Sequence, residues 1–285
     1  MAHTESTIFD NRPCTLGEGP LWHPLRRQFF WFDILGNRLL SRENNQPRVW
    51  QFEENVSAAG WTGQDTLLIA SETALFHFNL ETKKQEILTP LEADLAHTRS
   101  NDGRADPWGG FWIGTMGKNS DPGAGAIYRW YQGELRQLRA QVTVPNAICF
   151  APGGACAYFA DTSARQIMRQ ALDDNGWPIG AAAVFLDLRA EGLKPDGAVI
   201  DSEGCMWNAQ WGAGRVARYD AAGTFMAAIS FPARNTSCPA FGGDTMQTLL
   251  MTSARQKLDL PTDHDGLTYV VDVKAKGQLE TRVLV

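Results

Sequence analysis

Apolar residues come in short runs along this chain, and helical periodicity is scarce. Gln28-Phe29-Phe30-Trp31-Phe32, Gly110-Phe111-Trp112-Ile113-Gly114, Ala157-Tyr158-Phe159-Ala160 and Cys205-Met206-Trp207-Asn208 have strand length and are rich in large apolar residues. A second set alternates apolar with polar: Arg38-Leu39-Leu40-Ser41-Arg42, Ala74-Leu75-Phe76-His77-Phe78, Ala126-Ile127-Tyr128-Arg129-Trp130, Gln166-Ile167-Met168-Arg169 and Arg215-Val216-Ala217-Arg218-Tyr219. That pattern suits strands with one face nearer water. Between them, Leu35-Gly36-Asn37, Gly63-Gln64-Asp65, Ala151-Pro152-Gly153-Gly154, Asp201-Ser202-Glu203-Gly204 and Ala221-Ala222-Gly223 read as tight turns.

The pattern recurs about every 40 to 50 residues, the period of propeller blades. Each copy opens on a corner where a polar residue sits near Gly, Pro or Ala. The corners are Gly17-Glu18-Gly19-Pro20, Ser57-Ala58-Ala59-Gly60, Asn101-Asp102-Gly103, Pro145-Asn146-Ala147, Pro195-Asp196-Gly197 and Thr236-Ser237-Cys238. Six units fill the chain, which predicts an all-β, six-bladed β-propeller as one domain over residues 1–285. Closing the ring is expected to bring strand-like segments 6–9 and 279–285 into one blade, because closure satisfies unpaired edges. Irregular insertions are expected at 89–98, 117–125 and 255–265.

Composition narrows the function classes. A formal net charge of −6 with no basic run disfavours a nucleic-acid partner. No apolar stretch approaches the roughly 20 residues that span a bilayer, so no membrane partner is expected. Residues 1–14 lack the pattern of a secretory signal, and the expected location is the cytoplasm. Five cysteines, without a C-x-x-C, argue against both a disulfide framework and a zinc knuckle. Cys14, Cys149, Cys156, Cys205 and Cys238 are expected to be mostly buried small apolar residues. A monomer acting on a small molecule is the expected state.

Radial repetition brings equivalent corners to one axis, where Glu18, Asn101, Asn146 and Asp196 could converge. Two carboxylates and the Asn146 carboxamide oxygen would form a three-ligand site of hard donors, suited to a divalent cation with open positions. The same tripeptides are also common simply as turns. Other signatures are missing: the chain has no G-x-S-x-G, P-loop or H-E-x-x-H. Its histidines, His3, His23, His77, His97 and His264, have no metal-ligand spacing.

The motif set resembles the gluconolactonase-like family that includes senescence marker protein 30 (regucalcin). The matching stretches are Leu16-Gly17-Glu18-Gly19-Pro20-Leu21-Trp22, Arg99-Ser100-Asn101-Asp102-Gly103-Arg104-Ala105-Asp106-Pro107, Gly114-Thr115-Met116, Pro145-Asn146-Ala147, Pro195-Asp196-Gly197 and Phe241-Gly242-Gly243. They run in family order over nearly the whole chain, and the pattern is most similar to bacterial aldonolactonases of the xylonolactonase type. The resemblance implies one divalent metal on the axis, held by Glu18, Asn146 and Asp196; Ca²⁺, Mg²⁺, Mn²⁺, Fe²⁺ and Zn²⁺ are all open. It implies Arg99 and Asn101 as sugar-binding residues, with Asn101 also placed to approach the metal. The implied activity is carboxylic-ester hydrolysis of an aldonolactone, a pentonolactone such as D-xylonolactone. Asp196 is the expected general base and Glu18 the alternative. Two rival readings are a calcium-binding regulatory propeller without catalysis and a metal-dependent organophosphate hydrolase. Animal members carry acidic residues soon after Gly-Thr-Met, whereas Gly117-Lys118-Asn119-Ser120 follows here. A shorter loop closing over a smaller ring is the basis for expecting a five-carbon lactone.

Overall fold

Consecutive strands pair antiparallel through short turns, and after each fourth strand the chain steps sideways to a new sheet. The computed structural model, described over residues 5–285, holds six four-stranded sheets arranged as a six-bladed β-propeller. The blades are residues 17–51, 56–90, 98–142, 145–187 and 195–230, then a sixth built from 235–272 together with Thr7–Asp10. The apolar runs form the second strand of a blade and the alternating runs the third, as the pattern predicts. The outermost strands, such as Gln46–Gln51 and Phe225–Ser230, are mostly exposed and polar or mixed. They carry little hydrophobic signal and are absent from the sequence reading.

Ring closure differs from expectation. Thr7–Asp10 pairs with Thr268–Asp272, not with residues 279–285. Thr248–Ala254 already occupies the other side of Thr268–Asp272, so no edge remains there for a further strand. Residues 279–285 form no strand and instead strap one end of the ring. Gln278 Nε2 donates to the carbonyls of Phe150 and Ile200, both at 3.1 Å. Trp61 Nε1 donates to the Glu280 carbonyl at 2.9 Å, and the Arg104 guanidinium pairs with the Glu280 carboxylate. Val283 is buried against the hydrogen side of Gly60.

Aromatic and aliphatic side chains pack in sectors between adjacent blades. Phe30, Phe32, Leu39 and Trp50 of the first blade meet Leu67, Ile69, Phe76 and Phe78 of the second, for example. The core is therefore distributed around the ring, and the axis is left to the innermost strands.

All six innermost strands share one irregularity. The antiparallel register slips by one residue between Glu18 and Leu21, Val56 and Ala58, Ser100 and Gly103, Asn146 and Cys149, Pro195 and Ala198, and Thr236 and Pro239. A bulge of this kind inserts one extra residue, kinks the strand and re-aims a side chain. The recurring corners of the sequence are these bulges. Gly19 needs to be glycine: its φ is 52°, and a Cβ there would lie 2.2 Å from the Ser57 carbonyl oxygen.

Candidate active site on the propeller axis

The bulged ends of the innermost strands bring Glu18, Arg99, Asn101, Asn146 and Asp196 to the floor of one cavity of about 240 Å³. That lies just below the roughly 300–1,000 Å³ of sites for drug-sized ligands and suits a single sugar ring. The walls include Met116, Val144 and Trp211. All five floor residues are at most 5% exposed, which for charged side chains calls for a reason.

Their hydrogen bonds form a directed chain through three blades. Arg99 Nη1 donates to the Ser100 carbonyl and to Asn101 Oδ1, both at 2.8 Å. Asn101 Nδ2 donates to the Pro145 carbonyl at 2.9 Å and to Asn146 Oδ1 at 3.0 Å. Asn146 Nδ2 donates to Thr162 Oγ1 at 2.8 Å, and that hydroxyl donates to the Pro195 carbonyl at 2.7 Å. Both amide hydrogens of Asn101 are thus engaged within the protein, and its oxygen, which already accepts Arg99, keeps one lone pair for a ligand. Among the described residues Arg99 Nε is buried without an acceptor, while the side chain as a whole lines the cavity.

The electrostatics call for a cation. Burial and the Asp102 charge push the Glu18 carboxyl up to about 8. Burial, with Glu18 and Asp102 beside it, raises Asp196 well above the ordinary carboxylate range. Burial also raises Asp102, whose Oδ2 accepts the Ile148 amide at 2.8 Å. Arg99, lowered to about 10 by its own burial, remains charged at neutral pH and is the compensating cation on the floor. Among the described residues, no side chain donates a hydrogen bond to the carboxylate of Glu18 or Asp196; Glu18 Oε2 accepts only the Gly19 amide, at 3.3 Å. Clustered carboxylates with idle oxygens, plus an oriented carboxamide oxygen, fit a divalent cation bound by hard donors.

A second cluster, Asp201, Glu203 and Cys205, also gathers potential ligand atoms within 4.8 Å. The Asp201 oxygens are already engaged: they accept the amides of Glu203 and Cys205, Trp207 Nε1 and the Arg218 guanidinium, which also holds Glu203 Oε2. The cluster is a turn fastened by an arginine. None of the four described histidines lines the axial cavity, and His3 lies outside the described residues. The cysteines are free, and all except the half-buried Cys156 are buried.

Thr162 escapes the sequence reading because nothing marks it apart from other turn residues. Lys194 stands directly before Pro195-Asp196-Gly197, so adjacency alone could have flagged it. Lys118 and Ser120 place the 117–125 loop on the cavity wall, and Gln256 and Lys257 do the same for the 255–265 insertion.

Residues 16–255 match the family described as SMP-30/Gluconolactonase/LRE-like region. The chain is 34% identical to 6-deoxy-6-sulfogluconolactonase of Pseudomonas putida, over 86% of this chain and 85% of that protein. It is 30% identical to a pentonolactonase of Haloferax volcanii, over 94% of each chain. The crystal structure of a calcium-binding protein, regucalcin, from Agrobacterium tumefaciens superposes with a TM-score of 0.96 at 38% identity, covering 99% of this chain and 98% of that one.

Proposed function

The chain belongs to the SMP-30/gluconolactonase/LRE-like family, and on that premise we propose that it is a carboxylic-ester hydrolase that opens a sugar lactone to its aldonic acid. The observation that carries this reading is the floor of the axial cavity, where Glu18, Asn146 and Asp196 line one buried pocket together with Arg99. Relatives named as lactonases for sulfogluconolactone and pentonolactone support it.

Glu18, Asn146 and Asp196 are proposed to hold one divalent cation, which when bound supplies Lewis-acid polarisation of the lactone carbonyl. The protein's own groups do the rest. Asp196, with no side-chain donor on its carboxylate, is the proposed base that takes a proton from the attacking water, with Glu18 the alternative. The Arg99 guanidinium is proposed to bind a ring or hydroxyl oxygen of the sugar, and Asn101 holds Arg99 in place through its Oδ1. The cavity walls orient the ring so that water reaches one face of the carbonyl.

Among neutral lactones the proposed substrate has five carbons, such as D-xylonolactone. The 117–125 loop borders the cavity, and Ser120 Oγ lies 3.5 Å from Lys257 Nζ, so the two insertions meet. The reading is tested by assaying xylono-, arabinono- and gluconolactone on chelator-stripped protein resupplied with calcium, magnesium, manganese, iron(II) or zinc. Turnover is expected with at least one cation, and Asp196→Ala should lose both cation binding and turnover while unfolding at the same temperature as the stripped parent. If every lactone stays at its spontaneous rate, the enzyme reading fails. A tenfold preference for gluconolactone, about 1.4 kcal/mol of transition-state binding, would defeat the five-carbon claim alone.

A further inference from the structure

The axial cavity is lined by more positive than negative groups, in a chain that is acidic as a whole. Arg99, Lys118, Arg165, Lys194 and Lys257 face it, against Glu18 and Asp196, although the formal net charge is −6. The signs are separated by depth. The two carboxylates are buried at the floor, whereas Lys118, Lys194 and Lys257 are exposed and Arg165 is half-buried at the mouth. Four different segments supply these four cations: the 117–125 loop, the turn after Cys156–Asp161, the approach to Pro195–Ile200 and the 255–265 insertion. Lys118 is paired with Glu72 at 3.1 Å. Among the described residues Arg165, Lys194 and Lys257 have no carboxylate partner, while many surface cations elsewhere do, such as Arg48, Arg136 and Arg189.

Unpaired charges of one sign around a concave mouth focus the field into it. A divalent cation on Glu18 and Asp196 would offset the two carboxylates and, with Arg99, leave the cavity positive throughout. For a neutral lactone such a field is a handicap: it does not assist the substrate and it retains the anionic product. For a lactone that is already anionic, the rim binds substrate and transition state alike, which lowers KM and leaves kcat unchanged.

We propose that the substrate is an acidic lactone, a sugar lactone bearing a second anionic group (carboxylate, sulfonate or phosphate) on the arm remote from its carbonyl, held by Arg165, Lys194 and Lys257. This rests on the lactonase reading and concerns the charge of the remote arm, not the number of ring carbons. Two matched pairs test it, xylono- against xylaro-1,4-lactone and glucono- against glucaro-1,4-lactone, which differ only in a terminal hydroxymethyl or carboxylate. The acidic member should show at least a tenfold higher kcat/KM through KM at an ionic strength of about 0.01 M. The advantage should shrink at about 1 M, where the screening length falls from about 30 to about 3 Å. The double variant Arg165→Gln/Lys194→Gln should bring the acid-to-neutral ratio toward one. Equal kcat/KM values without salt dependence overturn the proposal and leave the lactonase reading standing. If no lactone turns over, that reading fails, and calorimetry of glucarate against gluconate binding still decides the rim: equal affinities overturn it, tighter glucarate binding supports it.

Discussion

The Asn146 side chain has an oxygen end and a nitrogen end, and its neighbours decide which one faces the axis. A backbone carbonyl can only accept, so the Thr162 hydroxyl must spend its hydrogen on Pro195. Its oxygen is then an acceptor toward Asn146, and the Asn146 amide nitrogen must turn to it. Asn146 Oδ1 is thereby directed inward. The other end of the chain is equally fixed, because Arg99 can only donate and Asn101 must offer it oxygen. Thr162→Val keeps the shape, removes this lock and frees the amide to flip. Outer partners of metal ligands typically contribute about 10–100-fold in affinity, so cation affinity measured by calorimetry should fall by that order with the unfolding temperature unchanged. Thr162→Ser, which retains the hydroxyl, should restore it; a Val variant that binds the cation as tightly as the parent would show that Thr162 is merely a turn residue. The placement of Glu18, Asn146 and Asp196 on one axis was legible because their corners share a repeat phase. Thr162 was not, since its role depends on a contact with the next blade that no local pattern encodes.

At the scale of elements, the informative unit is the bulge. A strand without one would keep strict alternation, and its polar corner would have to share the face of its apolar neighbours; the extra residue lets the chain serve axis and core together. That is why the innermost strands show in the sequence as corners rather than strands, although every bulge contains a residue of a recurring corner. At the far end of the first innermost strand, Gly17–His23, a histidine ties two blades. His23 Nε2 donates to the Gly63 carbonyl at 2.9 Å, and its Nδ1 accepts the Arg26 amide at 3.3 Å, which requires the neutral ring. Burial, reinforced by the Arg26 charge and opposed by Asp65, lowers its pKa below the ordinary 6.5. A depressed pKa means that the unfolded chain takes up the proton first. The stability this histidine contributes is therefore complete above about pH 6.5 and is lost as pH falls through its lower folded value. Urea unfolding at pH 7.5 and 5.5 should show a loss that is smaller in His23→Gln, which can still donate to Gly63 without titrating. Identical pH dependence in the two proteins would place the acid sensitivity elsewhere.

For the whole molecule, stability and chemistry occupy different places. The sectors between blades carry the apolar core, the floor carries buried charge, and the two meet only through the bulged strands, so the axis can be mutated without opening a cavity in the core. The strap of residues 278–285 joins the ring at the end away from the site. It satisfies Trp61 Nε1, partners Arg104 and covers a small cavity of about 60 Å³ beneath the axis. The segment looks strand-like because it carries apolar Leu279, Val283, Leu284 and Val285, yet only Val283 of the four is buried. The true closure lies at Thr7–Asp10, so a chain ending at Gly277 retains all six four-stranded sheets. Removing Val283 from its site forfeits about 1.5–3 kcal/mol of burial, and the loss of Glu280 leaves Arg104 unpaired at the edge of newly admitted water. Truncation after Gly277 should therefore lower stability by several kcal/mol, read from urea unfolding, while cation affinity at 25 °C stays within about twofold. A truncated protein that loses cation affinity in proportion to its stability would mean that the strap sets the spacing of the innermost strands. A floor that binds as before would establish that the ring holds its own geometry and the strap only seals it.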